Sequence, residues 1–341
     1  MATEHVLIGA AAQIPVGADT SPIISYVPIT IPVPGRPVYL QVRVTIPASS
    51  PSTSSSPSPL PIILLSHGHG PSYWLSSLEG YAPLAEFWAK HGFAVIQPTH
   101  LSSRTLGLSA AGEEGNELFW KSRPQDMTAI LDNLDVIEDA VQAGLGLGGG
   151  RRRLDRERVA AAGHSLGGMT TSLLLGSRNT DPRDGSTFTC LEPRVKAGVV
   201  IGGTGNGGSD DMSENGRVHL CPFYGMDFET METRALIIAG DTDVSPHLTT
   251  RGADWHWDPY TYAPGEKDLL LVKGGHHGFG GVSGWDAKEC QDESPERLAL
   301  VQRMSLAYLK SRLYEGDDSW EKACEVLKGL EELGSVERKS G

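Results

Sequence analysis

The sequence predicts an α/β protein with a mostly parallel, twisted sheet that carries helices on both of its faces. The first observation is a set of short apolar segments with the length of buried strands, at 61–66, 158–162, 195–201, 235–240 and 268–272. The second is the helix-like stretch at 168–175, which a glycine-rich turn joins to the strand before it. The third is that polar side chains follow three of these strands directly, at the sheet edge where parallel sheets place their sites.

The first 48 residues alternate apolar and polar positions, which predicts an antiparallel strand pair. Pro28, Pro32 and Pro34 place this pair at the edge of the sheet, where proline is tolerated because no neighbouring strand needs its missing N–H. A serine- and proline-rich tract at 49–60 follows and predicts a flexible surface loop. We expect this loop to be an insertion in a single domain that spans residues 1–341.

The segment Gly163-His164-Ser165-Leu166-Gly167 has the pattern G-x-S-x-G between a predicted strand and a predicted helix. This arrangement resembles the nucleophile elbow of α/β-hydrolases, in which the serine sits on a sharp, strained turn. The flanking glycines are needed because bulkier residues would collide with the adjacent strand or helix. Leu166 begins the helix, where its N–H can face a developing negative charge. Ser165 is therefore the candidate nucleophile.

An acid and a histidine follow this serine in the chain order expected of the fold. The strand at 235–240 leads into Asp241 and Asp243, and the strand at 268–272 leads into His276 and His277. A serine hydroxyl needs an imidazole that takes its proton, and the imidazole needs a carboxylate that holds its tautomer. The three residue types together predict a Ser-His-Asp triad.

Two choices within this set stay open. We favour Asp243 as the acid because of its position after the strand, and the alternative role of Asp241 is to cap the turn through backbone hydrogen bonds. We favour His277 as the base because His-Gly-Phe after a Gly-Gly turn resembles the histidine loop of esterases with this fold. His276 would then pack beside the site or line the pocket.

The region after the strand at 61–66 extends the resemblance. It has the sequences Ser-His-Gly-His-Gly at 66–70, Tyr-Ala-Pro-Leu-Ala-Glu at 81–86 and Lys-His-Gly-Phe-Ala-Val-Ile at 90–96, and Arg-Pro-Gln-Asp-Met at 123–127 opens a helix. Over residues 60–313 the chain resembles the α/β-hydrolase branch that contains platelet-activating-factor acetylhydrolases and predicted dienelactone hydrolases. Dienelactone hydrolases proper have a cysteine nucleophile, whereas this chain has Ser165.

The resemblance implies an oxyanion hole that is formed by two backbone N–H groups. In this fold one group comes from the residue after the nucleophile and the other from the loop after an earlier strand. These positions are Leu166 and His69 in this chain. Loss of one such donor costs a factor of about 10²–10³ in turnover.

Three irregular segments at 101–121, 202–232 and 251–264 interrupt the predicted strands and helices. Long irregular segments in a compact domain are usually functional or disordered. We expect these insertions to form a cap and an apolar acyl pocket, and the alternative is that their aromatic side chains only anchor loops to the body. The candidate pocket residues are His67, Trp120, His164, Phe223, Tyr224, Trp255, Trp257, His276 and Phe279.

Two further helices are expected near the C-terminus. Apolar residues at helical spacing within 295–314 predict the last helix that packs on the sheet. The segment 321–333 predicts an amphipathic helix within a C-terminal extension at 315–341. This helix either rests on the body or mediates dimerisation, so the oligomeric state stays open.

The composition excludes several classes of partner. The chain has 42 acidic and 29 basic residues and a net charge of −13 at pH 7, which disfavours nucleic acids and anionic membranes. The four cysteines are widely spaced, which predicts neither a disulfide framework nor a zinc site. No segment approaches transmembrane length and the N-terminus lacks a signal-peptide pattern, so we expect a cytoplasmic protein.

No cofactor and no metal ion are expected. The segment 203–208 matches G-x-G-x-x-G, but polar residues follow it where a dinucleotide site requires an apolar helix. His67 and His69 form an H-x-H pair, but Pro71 and Ser72 follow where metal-dependent lactonases have an aspartate and a histidine.

We therefore expect a serine hydrolase that cleaves carboxylic esters or thioesters through an acyl-enzyme, as serine esterases and lipases do. Its substrate would be a small-molecule ester, thioester or lactone. One alternative is an acyltransferase or macrolactone-forming thioesterase of secondary metabolism, and another is a polyester or lactone hydrolase. A non-catalytic, ligand-binding protein with the same fold is the more remote alternative.

Overall fold

The structure is a computed structural model that describes residues 6–17, 20–48, 58–110, 117–145, 152–284 and 290–339. Most of the predicted loop at 49–60 lies outside these residues, as does the middle of the insertion at 101–121. The last two residues of the C-terminal extension lie outside them too.

A nine-stranded sheet forms the centre of the protein. Numbered along the chain, its strands are β1 (Ile23–Ile31), β2 (Leu40–Pro47), β3 (Leu60–Ser66), β4 (Ala94–Pro98), β5 (Leu154–His164), β8 (Val195–Ile201), β10 (Ala235–Gly240), β11 (Lys267–Val272) and β12 (Gly334–Lys339). The remaining strands form a separate three-stranded sheet, and they are β6 (Arg178–Thr180), β7 (Thr187–Thr189) and β9 (Met226–Asp227).

The strand order of the central sheet is β1-β2-β4-β3-β5-β8-β10-β11-β12. The strands from β4 to β11 pair in parallel, whereas β1, β2 and β12 pair antiparallel with their neighbours. The mostly parallel sheet that the sequence predicts is confirmed, and so is the antiparallel strand pair at its edge. The parallel strands β3, β5, β8, β10 and β11 all end at the same edge of the sheet, and the loops after them therefore meet there.

Helices cover both faces of the sheet, as predicted. The helices are α1 (Ala82–Lys90), α2 (Ser122–Asp132), α3 (Leu134–Gly144), α4 (Leu166–Leu174), α5 (Asp258–Tyr262), α6 (Pro295–Leu313) and α7 (Ser319–Leu327). Shorter helical turns lie at Val6–Gln13, Arg104–Leu106, Glu117–Phe119, Gly216–Leu220 and Ala253–Trp257. Among the described helices, none is long and apolar enough to span a bilayer.

Strand β3 contributes to both hydrophobic cores, one on each face of the sheet. All of its residues are buried, and successive side chains point to opposite faces of the sheet. Ile62 and Leu64 join the core beneath α2, α3 and α4, whereas Ile63 and Leu65 join the core beneath α1, α6 and α7. A strand that is buried on both faces has to be apolar throughout, which is why its segment is continuous and not alternating in sequence.

The C-terminal region agrees with the sequence only in part. The predicted helix within 295–314 is α6, and the helix expected within 321–333 is the shorter α7, which packs on α6 through Trp320 and Tyr308. Strand β12 was not predicted. It pairs antiparallel with β11, and three of its six residues are charged, so its sequence lacks the apolar pattern of a strand.

Candidate active site

Ser165 lies on the turn between β5 and α4 with φ 56° and ψ −123°. This left-handed conformation is strained for a residue with a side chain, and it projects the serine from the edge of the sheet. Only glycine fits at the positions two residues before and two residues after Ser165. A Cβ atom at Gly163 would lie 2.0 Å from the carbonyl oxygen of Gly167, and one at Gly167 would lie 2.1 Å from the carbonyl oxygen of Ser66.

Asp243 and His277 lie in contact, each in the loop after a neighbouring parallel strand. His277 Nδ1 is 3.0 Å from Asp243 Oδ2 and 3.2 Å from Oδ1. Because an ionised carboxylate only accepts hydrogen bonds, Nδ1 carries the proton and Nε2 of the neutral ring is left as a proton acceptor. Asp243 is buried, whereas the His277 side chain is 39% exposed and lines the same cavity as Ser165.

The two alternative residues have other contacts. Asp241 Oδ1 accepts a hydrogen bond from the Gly274 N–H at 2.7 Å, which is the turn-capping role considered for it. His276 is exposed, and its backbone N–H donates to Asp292 Oδ2 at 3.1 Å. Among the residues that line the cavity, His277 is present and His276 is not.

The Asp243–His277 pair shifts the protonation of both groups. Desolvation would lower the pKa of His277, but the Asp243 charge and the hydrogen bond to it raise the pKa above its usual value. Desolvation would likewise raise the pKa of Asp243, but the charge of His277 and its hydrogen bond bring it below the usual value. The pair is therefore suited to hold a carboxylate beside an imidazole that can take up a proton.

A chain of hydrogen bonds links the serine turn to both neighbouring loops. The Gly68 N–H donates to Tyr81 Oη at 3.0 Å, Tyr81 Oη lies 2.8 Å from His164 Nδ1, and His164 Nε2 lies 2.7 Å from the carbonyl oxygen of His277. A carbonyl only accepts, so the proton of His164 is on Nε2 and Tyr81 donates to Nδ1. Burial lowers the pKa of His164 to about 3, which keeps this ring neutral.

His67 orients the peptide bond between Gly68 and His69 in the predicted oxyanion loop. Its Nδ1 donates to the carbonyl oxygen of Gly68 at 2.7 Å, and its Nε2 accepts from the His100 N–H at 3.1 Å. In a trans peptide the C=O and the following N–H point in opposite directions. The hydrogen bond to Gly68 therefore turns the His69 N–H away from His67. Burial, and then the charge of Arg123, hold the pKa of His67 well below its usual range.

Arg123 lies beneath this loop with none of its surface exposed. Its guanidinium donates to the carbonyl oxygen of His67, to Ser102 Oγ at 2.6 Å and to Thr170 Oγ1 of α4 at 2.9 Å. Burial lowers the pKa of Arg123 to about 9. The sequence offered this arginine only as part of a family resemblance, and the structure shows that it joins the 66–70 loop to the helix that follows Ser165.

The three insertions converge on a cavity of about 630 Å³ beside Ser165. Leu118 comes from the first insertion, Met212 from the second and Trp255 from the third. None of the described lining residues is an aspartate, glutamate, lysine or arginine. The cavity therefore combines apolar side chains with a few polar groups such as serine, threonine and histidine, as small-molecule pockets do.

The predicted pocket residues divide into two groups. Phe223, Tyr224 and Trp255 line the cavity, together with the predicted oxyanion residues His69 and Leu166. The others lie outside the lining, and they are His67, Trp120, His164, Trp257, His276 and Phe279. At least one of this second group packs behind a lining residue, since the Trp120 ring stacks on Phe223 with the ring centres 5.1 Å apart.

His256 was not singled out from the sequence. It is buried in the third insertion, its Nδ1 lies 2.6 Å from the carbonyl oxygen of Gly203, and its Nε2 lies 3.5 Å from Asp243 Oδ1. Desolvation lowers its pKa below the usual value. No local pattern marks this residue, because its partners are supplied by loops that lie far away in the chain.

Comparison with solved structures identifies the fold. A ferulic acid esterase from Streptomyces cinnamoneus is 19% identical with a TM-score of 0.51, over 86% of this chain and 89% of that one. The carboxylesterase EstE1 from a metagenomic library is 16% identical with a TM-score of 0.49, over 90% and 93% of the two chains. An acylaminoacyl peptidase from Pyrococcus horikoshii is 15% identical with a TM-score of 0.48, over 89% of this chain.

This chain spans only 44% of the length of that peptidase. No protein-family model matches the sequence, and no curated protein matches it either. The likeness to the ferulic acid esterase and the order of the parallel strands show that the protein has the α/β-hydrolase fold. At these identities the likeness carries the fold and not the activity.

Proposed function

We propose that this protein is a serine hydrolase that cleaves carboxylic esters or thioesters through an acyl-enzyme. The observation that carries the proposal is the contact between buried Asp243 and His277 Nδ1, which leaves Nε2 free to accept a proton in the cavity that Ser165 lines. The elbow conformation of Ser165 supports it, because such a turn presents the hydroxyl to a bound substrate.

In the first half-reaction, Ser165 Oγ attacks the carbonyl carbon and His277 Nε2 takes the hydroxyl proton. Asp243 holds the ring orientation and stabilises the imidazolium. The N–H groups of His69 and Leu166 donate to the oxygen that becomes negative, and Leu166 lies in the first turn of α4, where N–H groups lack carbonyl partners within the helix. The intermediate then collapses, and the leaving group takes the proton from Nε2.

In the second half-reaction, water attacks the acyl carbon of the ester on Ser165. His277 Nε2 takes a proton from this water and then returns it to Ser165 Oγ as the acyl group leaves as a carboxylic acid. The serine and the neutral imidazole are restored, so the cycle needs no cofactor. The proton passes through one nitrogen throughout because Nδ1 stays bound to Asp243.

The substrate we propose is a neutral ester or thioester whose acyl group occupies the apolar cavity. The described lining lacks lysine and arginine side chains that would pair with phosphates or carboxylates, and it includes Phe223, Tyr224 and Trp255 from the insertions. The motif-level resemblance to the platelet-activating-factor acetylhydrolase branch supports an ester bond as the target. The three insertions would then form the cap over the bound acyl group.

Labelling with a fluorophosphonate, beside turnover of p-nitrophenyl esters of increasing acyl length, tests the proposal. We expect wild-type protein to be labelled and to turn over the esters. Ser165→Ala should lose both, with turnover reduced by a factor of up to about 10⁶, while its circular dichroism and unfolding temperature stay close to those of the wild type. The dependence of turnover on acyl length would measure how much of the cavity the acyl group occupies.

A wild-type protein that folds but is not labelled would overturn the proposal and favour a ligand-binding role. Labelling without ester turnover would confirm the nucleophile but contradict hydrolysis of these esters. It would direct the search to other acyl acceptors, such as an internal hydroxyl of the substrate. Ester turnover that survives in Ser165→Ala would contradict the assigned nucleophile.

A further inference from the structure

Asp243, His256 and His277 form a cluster whose ligand atoms face one another. One oxygen or nitrogen atom from each of the three residues lies within 4.8 Å of the other two. Asp243 and His256 are almost completely buried, with 1% and 2% of their side chains exposed. We propose that this cluster is a binding site for Zn²⁺, and that bound Zn²⁺ inhibits the protein by removing His277 from its catalytic role.

The protonation of His256 leaves a lone pair that can bind a cation. The Gly203 carbonyl, 2.6 Å from Nδ1, can only accept, so the proton of the neutral ring is on Nδ1. The lone pair of Nε2 therefore faces Ser245 Oγ at 3.4 Å, from which it can accept a hydrogen bond, and Asp243 Oδ1 at 3.5 Å. A cation between Nε2 and the carboxylate would bind both of these lone-pair donors. An imidazole whose other nitrogen donates to a backbone carbonyl is also the usual arrangement around metal-binding histidines.

The spacing of the three groups fits a tetrahedral ion. With Zn²⁺ at about 2.0–2.2 Å from nitrogen and oxygen ligands, neighbouring ligand atoms lie about 3.4 Å apart. Asp243 Oδ1 lies 3.5 Å from His256 Nε2 and 3.2 Å from His277 Nδ1. The third distance, between the ligand nitrogens of His256 and His277, can shorten through movement of His277, because its side chain is 39% exposed and not packed on all sides.

The chemistry of the ligand set also suits zinc. Two imidazoles and a carboxylate with an open fourth position are the ligands of one class of zinc site. Here the fourth position faces the cavity, because His256, His277 and Ser245 all line it. An ion can therefore reach the cluster from the cavity, and a water molecule there can complete its coordination.

Binding of Zn²⁺ would change the role of His277. The ion takes a lone pair on Nδ1, and the proton that Nδ1 held moves to Nε2 through exchange with solvent, so the ring stays neutral. Asp243 then binds the ion and no longer accepts a hydrogen bond from His277. With one nitrogen bound to the ion and the proton on Nε2, the ring has no lone pair left for the Ser165 proton, so Ser165 loses its proton acceptor. This inhibition rests on the proposed serine-hydrolase function, whereas the metal site itself does not.

The binding test uses Co²⁺, which reports tetrahedral coordination through its visible absorption. In full-length Ser165→Ala, which cannot turn over substrate, we expect Co²⁺ to produce the intense band of a tetrahedral site and Zn²⁺ to abolish it. His256→Phe keeps the ring volume and His256→Gln keeps a donor for the Gly203 carbonyl, and both should lose the band when combined with Ser165→Ala. His276→Gln removes the exposed neighbouring histidine and should keep the band.

The inhibition test measures fluorophosphonate labelling at increasing Zn²⁺, with each protein compared with its own rate in a chelator. We expect Zn²⁺ to slow labelling of the wild type reversibly. The His256 variants should need about 100-fold more Zn²⁺ for the same fractional loss, because losing a ligand should cost at least as much as losing an outer hydrogen-bond partner, which costs about 10- to 100-fold. His276→Gln should respond to Zn²⁺ as the wild type does.

Equal Zn²⁺ sensitivity of the wild type and the His256 variants would overturn the proposal, and so would a Co²⁺ band that survives in them. Faster labelling with Zn²⁺ would contradict inhibition. A wild type that is never labelled but gives the His256-dependent Co²⁺ band would reject the hydrolase function and keep the metal site. These outcomes separate the failure of the two proposals.

Discussion

His164 Nε2 donates a hydrogen bond to the carbonyl oxygen of His277 at 2.7 Å, across 113 residues of sequence. The residue before the candidate nucleophile therefore holds the loop that carries the candidate base. Because burial lowers the pKa of His164 to about 3, the ring stays neutral near pH 7 and the hydrogen bond to the His277 carbonyl persists there. The other ring nitrogen accepts from Tyr81, which also binds the Gly68 N–H.

Tyr81→Phe should lower kcat with little change in KM. The substitution removes one hydroxyl group and leaves the Gly68 N–H and His164 Nδ1 without this shared partner, so the loops around Ser165 lose their common alignment. We expect a loss of about 10- to 100-fold in kcat, the scale of small misplacements of catalytic groups. Steady-state kinetics with a p-nitrophenyl ester would measure it.

Tyr308→Phe is the matched control for this variant, because Tyr308 is also a buried tyrosine but lies on α6, outside the site. Its kcat should stay near that of the wild type. If both variants lost the same activity, the effect of Tyr81 would be a general consequence of losing a buried hydroxyl. The positioning role of Tyr81 would then be rejected.

Fluorophosphonate labelling should rise with pH through a midpoint above the usual histidine pKa of about 6.5. The reaction needs neutral His277, and Asp243 raises the pKa of this ring against the opposing effect of desolvation. In Asp243→Asn desolvation remains and the charge is gone, so the midpoint should move to lower pH. The plateau rate should fall by about 10⁴-fold, because the tautomer is no longer held.

The raised pKa of His277 also makes the free energy of unfolding depend on pH. The folded-state pKa of His277 is raised, so its contribution is fully present below the unfolded pKa and is lost as the pH rises through the folded pKa. Urea unfolding of the wild type and Asp243→Asn across this window would detect the difference. A labelling midpoint that is the same in both proteins would contradict the coupling between Asp243 and His277.

Trp255→Ala should shift the acyl-length preference towards longer chains. Trp255 lines the cavity, and its Nε1 donates to the carbonyl oxygen of Asn206 at 2.9 Å, so its loss opens space beside the acyl group. The variant should also lose about 3–5 kcal/mol of stability, as truncation of a buried aromatic residue does. The ratio of kcat/KM for long and short p-nitrophenyl esters measures the preference.

Trp257→Ala is the control, since Trp257 lies in the same insertion but does not line the cavity. Its acyl-length ratio should match that of the wild type. An unchanged ratio in Trp255→Ala would show that the insertion only anchors its loop. A shift of equal size in both variants would show that the whole segment had rearranged.

Gly167→Ala should destabilise the protein by about 3 kcal/mol, the upper end of the cost of overpacking. Its Cβ would lie 2.1 Å from the backbone oxygen of Ser66, and backbone atoms cannot move aside as a side-chain end can. Gly329→Ala is the control, because its Cβ would meet the nearest atom at an ordinary distance of 3.5 Å. Denaturant unfolding with equal losses in both variants would contradict the steric account.

The sequence by itself located five of the parallel strands, the elbow and the order of the candidate groups. Buried parallel strands are continuous apolar runs, so the segments at 195–201 and 235–240 were located with the bounds that the structure has. The turn at Ser165 was predicted because its glycines are a local steric requirement. The antiparallel edge pair was predicted because prolines are tolerated there.

Only the tertiary structure decided how the candidate groups are held. It placed Asp243 against His277, and it brought Arg123 beneath His67 and His256 beside Asp243. It also paired the charged strand β12 with β11. Hydrogen bonds between residues far apart in the chain leave no periodic signal in sequence, because each depends on where the sheet delivers two separate loops. Local patterns therefore predict the elements, and the packing of those elements sets the chemistry between them.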